Sequence, residues 1–204
     1  RTRADLMNLP RMIRPAALAE LLAEARAEVE PPADATADRV AVAVTGPGGG
    51  DWHMGVTDGA FDIVDGTTDQ PLVTLTLAVS DWREFVAGRV RDLVRAHTNA
   101  ALLDPRALTR LQGSGERVSR LRGFTGDVQV IVEDSEEDAE YTVTFTLGGG
   151  AANLAQPTTT IRVDLAYLGR LASGEENVQN AFFAGKIRID GDMNLAMGLM
   201  TAVM

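Results

Sequence analysis

The sequence predicts an α+β chain with an internal pseudo-repeat. Three observations carry this. Residues 39–79 and 127–163 alternate apolar and polar side chains at the period of half-buried strands. Helical apolar stripes follow each of these β regions. Finally, Thr74–Gly88 and Thr160–Gly174 share one apolar pattern, 86 residues apart and without a gap. Each copy runs strand, short helix, small residue, glycine, and such self-similarity has to be weighed before a fold is named.

Composition narrows the function. At 204 residues the chain forms one large domain or two small ones. A hydrophobic content of 45% is ordinary for a globular protein. The net charge of −10 opposes nucleic acid and, by bulk electrostatics, anionic membrane, so a transient membrane contact would have to be local and hydrophobic. No cysteine is present, which removes disulfides, thiolate nucleophiles and thiolate metal sites, and fits a reducing, cytoplasmic location. With only His53 and His97, no metal site is expected. No apolar run approaches eighteen residues. The chain starts at Arg1, so the native N-terminus and any targeting segment stay open, and Thr201-Ala-Val-Met204 is not a peroxisomal address.

Taken in order, residues 1–14 read as a solvated basic arm. Ala16–Glu30 carries the apolar stripe of a helix, stopped by Pro31-Pro32. Arg39–Thr45, Trp52–Thr57, Ala60–Val64 and Leu72–Val79 read as strands of an antiparallel meander. The glycine-rich loop at 46–50 reads as a hairpin connection, because the spacing of a phosphate cradle fails at Asp51. Asp58-Gly59 signals a type I′ turn. Ser80-Asp81 opens a helix with a capping pattern, and Trp82, Phe85 and Val86 form its apolar face. Val90, Leu93, Val94 and His97 continue the stripe. Asp104-Pro105 starts a further helix. Arg106, Arg110, Arg117, Arg120 and Arg122 make the local positive segment, read as a solvated face or as a contact for an acidic partner or lipid head group.

In the second half, Asp127–Val132, Tyr141–Leu147 and Thr158–Val163 are strands. Glu133–Asp138 reads as a solvated acidic turn, since it lacks the glycine and terminal glutamate of a calcium loop. Leu165, Leu168 and Leu171 mark a short helix ending at Ser173-Gly174. Phe182 and Phe183 close a helical turn, and Gly185 supplies the left-handed stop. Lys186–Asp190 alternates as a strand, and Asp192 can cap the last helix. There, Met193, Met197, Met200 and Met204 share one face beside Leu195, Leu199 and Val203. So apolar a helix should be largely buried, and its methionines suit either core packing or the wall of a cavity for an apolar ligand.

Gly185-Lys-Ile-Arg-Ile-Asp-Gly-Asp192, followed by Leu195-Ala-Met197, resembles the C-terminal signature of sterol carrier protein type 2 domains. Gly198 departs from it, since members often carry Lys there. The resemblance implies an α+β fold whose antiparallel sheet is covered by helices on one face, with a tunnel for fatty acyl chains, sterols or similar lipids. It is strongest over residues 127–204 and weaker over 38–88. The expected organisation is an N-terminal arm and helix (1–37), a degenerate half (38–126) and a complete half (127–204). The alternative is one enlarged sheet made jointly by both halves.

No nucleophile elbow, zinc-protease helix or cysteine nucleophile occurs, so no enzyme, catalytic residue or cofactor is expected. The expected function is non-catalytic binding or carriage of a lipid or fatty-acyl ligand in a hydrophobic cavity. Its wall is assigned to Phe182, Phe183, Met193, Met197, Leu199 and Met200, with Trp82 and Phe85 as a second wall. The alternative is a protein-interaction or dimerisation module on the same scaffold, with a homodimer or protein partner and no lipid.

Overall fold

The computed structural model describes residues 31, 33–97 and 115–203. The expected arm at 1–14, the helices at Ala16–Glu30 and Asp104-Pro105, and Met204 lie outside the described residues. Eight strands, β1 (Val40–Thr45), β2 (Gly50–Thr57), β3 (Ala60–Asp65), β4 (Val73–Ala78), β5 (Gly126–Asp134), β6 (Ala139–Leu147), β7 (Thr159–Asp164) and β8 (Ile187–Gly191), form one sheet. Its order is β3-β2-β1-β4-β6-β5-β7-β8. The described helices are α1 (Val79–Ala87), α2 (Arg89–His97), α3 (Gly115–Arg122), α4 (Leu165–Ser173), α5 (Val178–Phe183) and α6 (Met193–Val203).

The first four strands are not a plain meander. β1, β2 and β3 are antiparallel neighbours, but β4 lies on the far side of β1 and runs parallel to it. The hairpin to β2 occupies one edge of β1, so the returning chain takes the other. The second half repeats this: β5 pairs β6 antiparallel and β7 parallel. The halves meet where β4 pairs β6 antiparallel, Val73 opposite Leu147 and Leu75 opposite Phe145. Along the sheet, β2-β1-β4 and β6-β5-β7 thus present the same sequence of strand directions.

Register makes one face apolar from edge to edge. Trp52 and Met54 stand beside Val42 and Val40, which stand beside Leu75 and Val73. Across the seam the row continues through Phe145, Val128 and Thr159, and through Val143, Val130, Ile161 and Ile189. The helices contribute Trp82, Phe85, Val118, Leu121, Leu165, Leu195 and Leu199 to the same core. The Trp52 and Trp82 rings meet edge to face, 5.1 Å apart, a contact worth about 0.5–1.5 kcal/mol beyond area burial. The opposite face carries Thr74, Thr76, Thr144 and Thr146 at the seam.

Local signals explain the turns and caps. Asp58 and Gly59 both take positive φ, as a type I′ turn requires. Asp164 caps α4, accepting from the Ala166 N–H at 2.9 Å, and Gly174 closes it in the left-handed conformation. α1 begins at Val79, earlier than the capping pattern indicated, and its N-cap Ala78 makes no side-chain cap bond. Asp81 instead accepts from the Thr142 N–H of β6 at 3.3 Å, and burial raises its pKa. The acidic turn is not wholly solvated. Asp134 is buried and paired with Arg89, which also pairs with Glu136.

Candidate functional site

The start of α6 is fixed by backbone geometry. The Asp192 carboxylate accepts from the Leu195 N–H at 3.0 Å, and the Thr159 hydroxyl bonds the carbonyls of Asp190 and Asp192. Gly191 takes φ +104°, and a Cβ there would press on the Thr158 carbonyl. The helix then buries Leu195, Ala196, Leu199, Met200 and Ala202. Those five positions choose its orientation, and Met197, Gly198 and Thr201 are left facing α3.

Between α3 and α6 lies a groove of about 470 Å³. That falls within the few hundred to a thousand Å³ usual for small-molecule sites. Phe124, Met197, Gly198 and Ala202 give it an apolar lining, with Glu116, Arg117, Arg120 and Thr201 alongside. Phe124 reaches it through the turn after α3, where the Gly123 and Phe124 N–H groups donate to Arg120 and Leu121. Its ring occupies the space that a Cβ at residue 198 would need. Arg120 pairs with Glu116 at 2.5 Å. Arg122 points elsewhere, to Asp38 at 2.7 Å. Burial would raise the Asp38 pKa, but hydrogen bonds from Arg122 and Thr36 hold it below the usual carboxylate range. Arg106 and Arg110 lie outside the described residues.

The residues expected to form the cavity wall are not brought together. Met197 lines the groove, while Leu199 and Met200 turn into the core. Met193 is exposed on the first turn of α6. Phe182 is half-buried, and Phe183, its ring 5.8 Å away, is 85% exposed. Trp82 and Phe85 fill the core beneath the first-half strands. The methionine face is therefore not one buried surface. Phe124 was absent from the expected set; the departure at Gly198 was the one sequence signal that space had opened on α6.

Three further polar groupings lie outside the groove. On the Thr-bearing face, Arg39 lies over Gly55 and donates to His53 Nδ1 (2.5 Å), Asp62 (3.0 Å) and Thr57 (3.5 Å). Burial lowers the His53 pKa, Arg39 adds to this, and Asp62 opposes it. On the apolar face, burial first, then Glu84 and Asp134, push Tyr141 up to about 12. His97 sits against Gly169, with Nδ1 3.7 Å from Glu175. Among the described residues no group of three or more His, Asp or Glu is placed to hold a metal ion, and no helix is long and apolar enough to cross a membrane.

Fold and groove define a class: an α+β sheet with its helices on the apolar face and an apolar slot between two of them. Residues 106–204, which take in α3, match the family profile described as the SCP-2 sterol transfer family. The chain is similar to that family over its C-terminal half, as the Gly185–Met197 motif implied. Among solved structures, sterol carrier protein domain 2 of Helicoverpa armigera is 25% identical, with 55% of this chain and 83% of that one covered and a TM-score of 0.35. Palmitated SCP2L2 from Aedes aegypti is 22% identical, covering 59% and 92%, also at 0.35. Sterol carrier protein 2 from Yarrowia lipolytica, in its apo form, is 13% identical, covering 58% and 90%, at 0.35. No curated protein matches the chain.

Proposed function

We propose that this protein binds or carries a lipid or fatty-acyl ligand without transforming it, in the groove between α3 and α6. The observation that carries this is the groove itself, apolar along Phe124, Met197, Gly198 and Ala202, on the part of the chain that matches a sterol transfer family. Each methylene moved from water into such a slot is worth about 0.8 kcal/mol, so shape and dryness suffice for affinity. Arg117 and Arg120 beside it suit an anionic end group. The reading keeps residues 38–126 and 127–204 as two units, supported by their common order of strand directions, with the groove formed where α3 of the first meets α6 of the second, and a cytoplasmic location. Native mass spectrometry of freshly purified protein, with solvent extraction of bound material, tests it. A stoichiometric lipid adduct is expected. A clean apo mass that does not shift with palmitate or a sterol overturns it.

A second reading, an interaction module, is favoured by Phe183. An aromatic ring 85% exposed beside Phe182 is the kind of anchor a protein partner buries. Light scattering with and without lipid separates the two: a lipid-free homodimer that Phe183→Ser converts to monomer supports the second.

A further inference from the structure

We infer that Phe124 is a specificity-determining stop: its ring, seated on Gly198, closes the inner side of the α3–α6 groove and sets the longest acyl chain the protein accepts. This rests on the groove being the lipid site.

The ring has two surroundings. On one side it packs against the buried core, and on the other it lines the groove. It is half-buried, and it is the one aromatic side chain among the described residues of that lining. Its position depends on residue 198 having no side chain. A Cβ built there would overlap Cζ, Cε2 and Cε1 of the ring, and a contact that close forces a neighbour to move. The far end of the ring thus lies close against the α6 backbone at Gly198. Leu121 ends the buried stripe of α3, and Leu195 approaches Gly126 at the start of β5. A ligand whose end group lies at Arg117 and Arg120 has its chain against the ring in the same groove. Removing the ring deepens the groove by the volume the ring fills. Adding a methyl at 198 pushes the ring outward and shortens the slot. Because the two changes act in opposite directions, they separate a gauge of length from a general loss of packing.

The test is a series of saturated fatty acids from eight to eighteen carbons, titrated against the wild-type chain, Phe124→Ala, Phe124→Leu and Gly198→Ala, with circular dichroism confirming that each is folded. Wild-type affinity should rise about fourfold per added methylene, the equivalent of ~0.8 kcal/mol, and then level off. Phe124→Ala should carry the rise at least two carbons further, roughly fifteenfold in Kd for the longer acids. Phe124→Leu should move it the same way by less, and Gly198→Ala should level off earlier. Should Phe124→Ala not fold, the opposite shifts of Phe124→Leu and Gly198→Ala decide the matter. A common plateau in all folded variants, with binding intact, overturns the role of Phe124 alone. Absence of binding in every protein overturns the groove reading and the stop together.

Discussion

Met197 and Leu199 are two residues apart on α6, yet the structure assigns them different work. Met197 is half-buried and lines the groove, whereas Leu199 is 2% exposed in the core. Met197→Glu changes helix propensity little, since both residues are good helix formers. Full burial of a methionine is worth about 1.5–3 kcal/mol, so losing a half-buried one costs about 1 kcal/mol. For a chain of this length that lowers Tm by roughly 2–4 °C. Binding should suffer more. An acyl chain laid across a carboxylate strips its water, and even about 2 kcal/mol of that penalty weakens Kd roughly thirtyfold. Leu199→Ala should do the reverse: it costs about 2–5 kcal/mol of stability and leaves affinity per folded molecule within about threefold. Urea denaturation and palmitate titration on both variants provide the measurements. A folded Met197→Glu that binds palmitate like wild type refutes the groove as the site. A folded Leu199→Ala that loses binding places the ligand beneath α6 instead.

Other consequences are independent of lipid. Gly191→Ala forces a Cβ onto the Thr158 carbonyl at φ +104° and should lose about 2–3 kcal/mol in urea melts; a change under 0.5 kcal/mol would remove Gly191 as the reason α6 starts where it does. Arg89→Met strips the cation from Asp134, whose side chain is 3% exposed, and should cost about 2–3 kcal/mol. Adding Asp134→Asn should restore much of that, and a double mutant no better than the single one argues against the ion pair. Neutral His53 accepts from Arg39, and burial holds its pKa below 6.5. The unfolded chain therefore binds the proton first, and stability attached to neutral His53 is complete above pH 6.5 and falls as pH drops from there toward the folded-state pKa. His53→Gln does not titrate, so the stability of the wild type should fall in acid relative to that of the variant. Parallel curves from pH 7.5 to 5 would exclude the contribution.

Local conformations were legible because they depend on neighbours in sequence. Asp58-Gly59, Gly174 and Gly185 all adopt the left-handed geometry their positions predict, and Asp192 caps α6. β4 with α1, and β7 with α4, fall at matching positions in the two aligned segments. What was not legible is long-range. Alternation fixes the face of a strand but not its neighbour, so the parallel β1–β4 pair read as part of a meander. Nothing local to the acidic turn shows that Arg89, 45 residues earlier, neutralises Asp134. On α6 the spacing put the methionines on one face, but Leu195, Ala196, Leu199, Met200 and Ala202 decide which side meets the sheet. Trp82 and Phe85 were correctly apolar, but Trp52, paired through Val42 to the central strands, turned them into core.

The seam between the halves bears on whether the second could act alone. In the first half, β3 flanks β2; in the second, the strand that flanks β6 is β4. In the second half, β8 flanks β7; in the first, the strand that flanks β4 is β6. If β2 and β6, and β4 and β7, are counterparts, each half supplies the edge strand that the other lacks. A fragment of residues 106–204 would then bare the edge of β6 along Thr144–Leu147 and uncover apolar surface at Phe145 and Leu147. Unpaired edges recruit other chains, so the fragment should dimerise or aggregate while the full chain does not share that tendency. Light scattering on the two proteins at equal concentration distinguishes the cases. A monomeric, folded fragment that binds lipid as the full chain does would mean the first half serves some purpose other than completing the sheet.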